Sequence, residues 1–540
     1  MLCSAPSCGA RRSLHTSSPS AAVEGSGSVV ALPLRRRGPR LLCVCMALCA
    51  HRSVERKHVT SADVPIQPAP SATPWGAAPS RQDGHSLADG LLRAAPRSDL
   101  PVAILGAGPV GLAASARLVE RGLKPLILEA GDSVGAHLLQ YPHVRLFSPW
   151  RYNLDAAVSA QLRATGWLPP SLDELPLAGE LVSRLLQPYA QLPHVSAALH
   201  LQTRAVSISR EGFDKTKTQG RERAPFVIHA LAHGTRVEFR ARAVLDASGT
   251  WSCPNPLGAN GLPAQGEHEL RDAIVYGIPD PEGRDRDRFA GKRVLVVGAG
   301  HSAANSLLAL AALAQHEPAT RLVWAVRSQT LVRVFGGGAT DALPARGQLG
   351  TELRRLRDSG ALSFYGGFRI SALRQSDGGI NVAGWEAGGE PTTIEGIDQI
   401  VCATGQRPDL SLMRELRVRL DPALESTEAL GPLIDPNVHS CGTVQPHGHR
   451  ELAHPESGFY TVGAKSYGRA PTFLMATGYE QVRSVVAAIA GDFEAADQVE
   501  LALPRTGVCC PESSCSASAS SGLDGLPSEG AAEARRSCCG

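Results

Sequence analysis

The chain has no uninterrupted apolar run of about 18 residues, the length a membrane-crossing helix needs. The nearest is "LLCVCMALCA" (residues 41–50), which follows "RRRGPR", and it is too short to span a bilayer and lacks a clear cleavage site. No integral membrane span is expected. An excess of one charge is also missing. Lys and Arg number 54 against 51 Asp and Glu, a net charge of +3, so the basic footprint of a nucleic-acid binder is absent. Lysine is scarce, with six residues among the 54 basic ones, which makes Lys465 conspicuous. No cysteine occurs between Cys49 and Cys253. Of the 13 cysteines, only Cys253, Cys402 and Cys441 fall in the body of the chain. A secreted disulfide framework would spread its cysteines through the folded part, so a reduced compartment is expected. Histidines form no metal pattern: "HGHREL" (447–452) has close histidines without matching partners. No metal centre is expected in the body.

Acidic residues are nearly missing from residues 1–60, where Glu24 and Glu55 stand alone among Arg, Ser and Ala. That composition suits a mitochondrial or plastid transit peptide. The alternative is an overlong start upstream of a cytoplasmic enzyme. Residues 60–98 are rich in Pro, Ala and Ser without periodicity and read as a linker. Residues 503–540, rich in Ser, Gly, Ala and Cys, read as a disordered tail.

What is present begins at "VAILGAGPVGLAASARL" (102–118) and is repeated in form at "VLVVGAGHSAAN" (294–305). Each is an apolar strand, a glycine turn and a helix start. In the first, Gly106 allows the tight turn, Gly108 lets the backbone approach a pyrophosphate, and Gly111 lets helix and strand pack closely; Pro109 opens the helix. The next strand ends at Glu129, about 20 residues on, where an acid accepts from a ribose hydroxyl and repels a 2'-phosphate. This turn is expected to hold FAD or NAD. In the second, Gly298 and Gly300 repeat the pattern, Ala303 replaces the third glycine, and Arg327 stands where the first unit has Glu129. A guanidinium suits a 2'-phosphate, so this turn is expected to hold NADPH. A chain binds two dinucleotides when one passes electrons to the other. The fold class expected is α/β with two Rossmann-type dinucleotide-binding domains: an N-terminal extension (1–98), a first part of the FAD domain (99–290), an inserted NADPH domain (291–396), a second part of the FAD domain (397–502) and the cysteine-containing tail (503–540).

With these turns, "LDASGTWSCPNP" (245–256), "CATGQRPDL" (402–410), "HVRLFSPWRYNLD" (143–155), "FGGGATDALPARGQLG" (335–350) and "KSYGRAPTFLMATGYEQVRS" (465–484), the chain resembles FAD-dependent, NADPH-using flavoproteins of the flavin-containing monooxygenase type. The likeness covers about residues 100–505, and some relatives are linked to arsenic resistance. It implies that Gly106, Gly108, Gly111 and Glu129 serve FAD, and Gly298, Gly300, Ser302 and Arg327 serve NADPH. Thr404 and Gly405 would end the strand that crosses between domains, and Gly463 would close the FAD site. Two departures stand out. The F-x-G-x-x-x-H signature of classical monooxygenases is replaced by "NGLPAQGEHEL" (260–270), which puts oxygenation in doubt. Ala464 and Lys465 stand where related reductases carry an Asp after the glycine.

The expected activity is an oxidoreductase in which NADPH reduces bound FAD, monooxygenase-like, with a small-molecule substrate and molecular oxygen as partners. Asn153 and Lys465 are the candidate catalytic residues, Asn153 as a donor at the flavin and Lys465 as a positive charge stabilising the reduced ring; an exposed lysine is the competing reading. Arg145, Trp150 and Trp251 are candidate liners of the substrate site. A reductase of a small acceptor (metalloid, disulfide or quinone) is the alternative. Disulfide chemistry of the usual kind lacks its cysteine pair near the first turn. In the tail, Cys509 with Cys510 and Cys538 with Cys539 form two vicinal pairs, candidate soft-metal thiols or incidental cysteines of a low-complexity tail. A non-enzymatic NADPH-binding redox sensor is the third reading.

Overall fold

The computed structural model describes residues 99–501, apart from 337, 342 and 440–443. The proposed transit peptide, the linker and Cys441 lie outside the described residues. So do the four tail thiols expected as soft-metal ligands, Cys509, Cys510, Cys538 and Cys539.

Among the described residues, sixteen strands fall into two parallel and two antiparallel sheets. The first parallel sheet contains β1 (Val102–Leu105), β2 (Pro125–Leu128), β3 (Leu199–His200), β7 (Ala243–Asp246) and β16 (Phe459–Thr461), in the order β16-β7-β1-β2-β3. The second contains β8 (Ile274–Tyr276), β9 (Arg293–Val297), β10 (Arg321–Val326), β11 (Leu362–Gly366) and β15 (Gln399–Cys402), in the order β11-β10-β9-β15-β8. Every residue of β1 and β7 is buried, as is all of β10 after Arg321. Sheets covered on both faces need such continuous apolar strands rather than alternating ones. Two antiparallel excursions flank them: β4 (Thr203–Arg210), β5 (Phe226–Ala232) and β6 (Thr235–Ala241); and β12 (Arg369–Ser376), β13 (Gly379–Trp385) and β14 (Pro391–Ile397).

Residues 274–276 and 399–402, which fall in segments expected to belong to the FAD domain, form β8 and β15 of the second sheet, with β15 hydrogen-bonded to both β9 and β8. Apolar periodicity identifies a buried strand but not its partner.

Helix Pro109–Glu120 packs against helix Met475–Ala490 in one apolar cluster that includes Val110, Leu112, Val482 and Val485. The second helix stops at Gly491, whose φ of +87° gives the left-handed cap that other residues adopt at a cost. The β4–β6 excursion is fastened by Glu456, just before β16. Its carboxylate accepts from Arg210 Nε at 2.8 Å, Arg221 Nη2 at 2.9 Å and the Arg417 N–H at 2.9 Å. None of the helices among the described residues is long and apolar enough to cross a membrane.

Candidate dinucleotide sites

Both glycine turns sit at the carboxyl ends of their parallel sheets, where open α/β folds leave room for ligands. At the first, Gly106 has φ +99°, and a Cβ there would lie 2.8 Å from the Ala247 carbonyl oxygen. A Cβ on Gly111 would lie 2.0 Å from the Gly106 oxygen, which only contact with bare backbone permits. A Cβ on Gly108 would meet nothing within 4 Å. The outer two glycines are thus required by the protein itself, while the middle one faces open space. Gly108 also caps helix Pro109–Glu120 without any side-chain acceptor, which leaves first-turn N–H groups for an anion. The second turn repeats this. Gly298 has φ +137° and its Cβ would lie 2.1 Å from the Ala403 oxygen, Ala303 is fully buried, and Gly300 faces open space at the start of helix His301–His316. Ser302 lies in the first turn of that helix, and its carbonyl accepts from Ser306 Oγ at 2.9 Å. A pyrophosphate therefore fits both turns on the same grounds.

The residues after the second strands differ as their charges require. Glu129 is buried; its Oε2 accepts from the Ala107 N–H at 2.6 Å and its Oε1 from the Gly131 N–H at 2.7 Å. Each oxygen keeps a lone pair for a ribose hydroxyl. Arg327 is exposed, with Nη1 donating to the Ala259 carbonyl at 3.1 Å.

The two crossings of the chain between the sheets pair with each other. Pro254 bridges Gln406, the Asn255 N–H donates to the Gly405 oxygen at 2.9 Å, and Thr404 Oγ1 donates to the Asn255 oxygen at 2.8 Å. Asn255 Nδ2 donates to the Thr404 oxygen at 3.2 Å, and Arg407 Nε donates to Asn255 Oδ1 at 2.9 Å. Gly405 turns with φ +88°. Sequence reasoning singled out Thr404 and Gly405 but missed Asn255 and Arg407; the "PNP" of 254–256 is the only local signal of a turn there.

Gly463 follows β16 with φ +68°, and its N–H donates to Gln481 Oε1 at 2.8 Å. Gln481 Nε2 donates to Ser466 Oγ and to His447 Nε2, each at 2.9 Å. His447 must then accept at Nε2 and carry its proton on Nδ1, 3.0 Å from the Gln445 oxygen. Burial holds its pKa below the ordinary histidine value. Sequence reasoning missed both Gln481 and His447.

Lys465 is 1% exposed, which corrects the exposed reading. Its Nζ donates to Asp246 Oδ2 at 2.7 Å and to Ser248 Oγ at 3.0 Å. The positive charge expected there is therefore neutralised by a carboxylate. Asn153 is fully buried, and its amide hydrogens go to the Ser148 and Pro149 carbonyls at 2.7 and 3.1 Å. It holds the turn into residues 150–153 instead of donating outward. Trp150 is fully buried in the core beside it and lines no open site. Trp251 packs on Tyr141 with centroids 4.5 Å apart and donates to Gln140 Oε1, and Arg145 donates to the Leu175 carbonyl.

Cys253 and Cys402 are both free thiols. Burial pushes the Cys402 thiol up to about 12, so it is no thiolate. Among the described residues no three His, Cys, Asp or Glu side chains converge as a metal site. The soft-metal expectation for Cys509, Cys510, Cys538 and Cys539 falls outside those residues.

Residues 103–437 match the family model described as pyridine nucleotide-disulphide oxidoreductase. A ferredoxin–NADP reductase of Cupriavidus taiwanensis is 27% identical over 292 residues, 53% of this chain and 66% of that protein. A probable indole-3-pyruvate monooxygenase of Arabidopsis thaliana is 27% identical over 240 residues, 44% of this chain and 50% of that protein. The chain thus spans half to two thirds of the length of these relatives. Among solved structures, the bacillithiol disulfide reductase from Bacillus cereus superposes with a TM-score of 0.54 at 17% identity, covering 73% of this chain and 99% of that one. The FAD-bound cadaverine monooxygenase from Erwinia amylovora gives 0.52 at 14% identity, covering 76% and 98%. At such identities the likeness is one of fold. With more than half its length matched and two glycine turns of the required build, the chain belongs to the pyridine nucleotide-disulphide oxidoreductase family of FAD- and NAD(P)-dependent flavoproteins.

Proposed function

We propose that this protein is an NADPH-dependent FAD oxidoreductase that passes electrons to molecular oxygen and a small-molecule substrate, as a monooxygenase does. The observation that carries it is the pair of turns whose outer positions are closed by backbone and whose middle glycines, Gly108 and Gly300, face open space. Bound flavin supplies the hydride acceptance and oxygen chemistry that no side chain can. The chain's own residues bind and orient. Glu129 selects an unphosphorylated ribose at the first turn, Arg327 a phosphorylated one at the second, and the Asn255–Arg407 bridge keeps the two turns in fixed relation. No cysteine occurs between Cys49 and Cys253, so the cysteine pair that disulfide chemistry uses near the first turn is missing, which favours oxygen over a protein disulfide as acceptor.

A second reading, reduction of a small acceptor, is favoured by the ferredoxin–NADP reductase relative. Oxygen consumption and hydrogen peroxide release, measured against NADPH and NADH oxidation across a panel of small amines, thiols and indolic acids, separate the two. Substrate-dependent turnover that suppresses peroxide supports the monooxygenase. Peroxide equal to the NADPH consumed with every compound, together with rapid turnover on quinone or ferricyanide, supports the reductase. Arg327→Ala is expected to raise the KM for NADPH about tenfold or more and leave that for NADH unchanged, the loss of a charge-assisted hydrogen bond.

A further inference from the structure

The segment 258–265, which runs into the stretch (260–270) that replaces the usual signature before the second turn, lies along β12. The Ala259 N–H donates to the Ile370 carbonyl at 3.0 Å, and Gln265 pairs with Ala372. Between this segment and the β12–β13 hairpin opens a cavity of about 360 Å³, lined among others by Ala259, Asn260, Arg369, Ser371 and Trp385. Trp385 is 48% exposed, and it stands opposite Arg369 in the hairpin register. Large exposed apolar side chains at a cavity mouth call for a ligand more often than scattered ones do. One cation, Arg369, lines the cavity, and further guanidinium groups hold the backbone of the 258–264 segment that forms its wall. Arg327 reaches it from the end of β10 through the Ala259 carbonyl, and Arg407 Nη2 donates to the Gly261 carbonyl at 3.1 Å. Arg469 Nη2 would lie 3.8 Å from a Cβ on Gly261. Among the described residues no carboxylate lines the cavity. An aromatic face, a lining guanidinium and this volume match a phosphorylated nucleoside.

We propose that this cavity receives the adenosine end of NADPH, with Trp385 stacking on the adenine and Arg369 joining Arg327 on the 2'-phosphate. The proposal rests on the NADPH reading of the second turn. It adds two specificity-determining residues from the antiparallel hairpin, outside the strand–turn–helix unit. Base–aromatic stacking and a guanidinium–phosphate pair act independently, so their losses differ in ligand dependence.

The test is calorimetric titration of the FAD-loaded full chain with 2',5'-ADP, 5'-AMP and NADPH, in wild type, Trp385→Ala, Trp385→Phe and Arg369→Gln. Both side chains are exposed, so unchanged melting temperatures establish that the variants fold. Trp385→Ala is expected to weaken all three ligands about tenfold and Trp385→Phe to restore most of that. Arg369→Gln is expected to weaken 2',5'-ADP and NADPH about tenfold and leave 5'-AMP unchanged. Wild-type affinities in Trp385→Ala and Arg369→Gln overturn the proposal and leave the NADPH reading intact. A wild-type protein that binds NADH but neither 2',5'-ADP nor NADPH overturns both.

Discussion

Single methyl groups separate the jobs of the glycines in the first turn. Gly108 has φ −78°, which any residue adopts, and faces open space, whereas a Cβ on Gly111 would abut backbone at 2.0 Å. Gly108→Ala is therefore expected to leave the apoprotein's stability within about 0.5 kcal/mol and to weaken FAD binding, measured by flavin release and apoprotein melting. Gly111→Ala is expected to destabilise the fold itself by about 1–3 kcal/mol, seen in the same melting experiment without flavin. The Asp246–Lys465 pair behaves differently because both partners are buried. Removing one strands the other charge, so Lys465→Met is expected to cost about 3–5 kcal/mol in chemical denaturation, and adding Asp246→Leu to recover most of it. A double variant no more stable than the single one would show that the pair does not act as a unit.

At the scale of elements, β16 is held from below by His454. Its ring stacks on Phe459 with centroids 5.7 Å apart, its Nδ1 accepts from the Arg419 N–H at 3.3 Å, and burial brings its pKa from 6.5 down to about 4. The unfolded chain binds this proton between pH 6.5 and 4 while the folded chain does not. Its contribution is thus complete above pH 6.5, falls by up to about 1.4 kcal/mol per pH unit below that, and levels off near pH 4. His447 acts in the same direction. Melting temperature measured from pH 7.5 to 4.5 is expected to fall, and to fall less steeply in His454→Gln; equal slopes would remove His454 from the account. Elements were largely legible in the sequence. The strand at 102–105, the helix after it and the antiparallel excursion over 203–241 follow from period and turn chemistry. Residues 178–190 are helical, with a π-helical segment at Val182–Leu186 ahead of Pro188, a residue that has no N–H to continue the ladder.

At the scale of the whole molecule, the two sheets are joined by the paired crossings at 254–255 and 404–407. Asn255 takes part in that joint through both side-chain amide atoms. Asn255→Ala is expected to leave the affinities for FAD and NADPH within about twofold and to slow flavin reduction by NADPH about tenfold, because relative placement of two bound groups decides the rate of transfer between them. Rapid-mixing absorbance under anaerobic conditions measures it, and an unchanged rate would mean that the joint does not control alignment.

By itself the sequence determined the two strand–turn–helix units, the separate tasks of their glycines and the opposite charges, Glu129 and Arg327, at the ends of the second strands. These depend on residues a few positions apart, whose geometry the backbone dictates locally. Only the tertiary structure decided which sheet owns β8 and β15, that Lys465 is neutralised by Asp246 a separation of 219 residues away, that Asn153 is turned inward, and that Trp385 lines a cavity with Arg369 and the 258–264 segment. All but the turn at Asn153 join segments far apart in the chain. Burial and pairing across such distances are settled by how apolar faces pack together, and no local pattern carries that information.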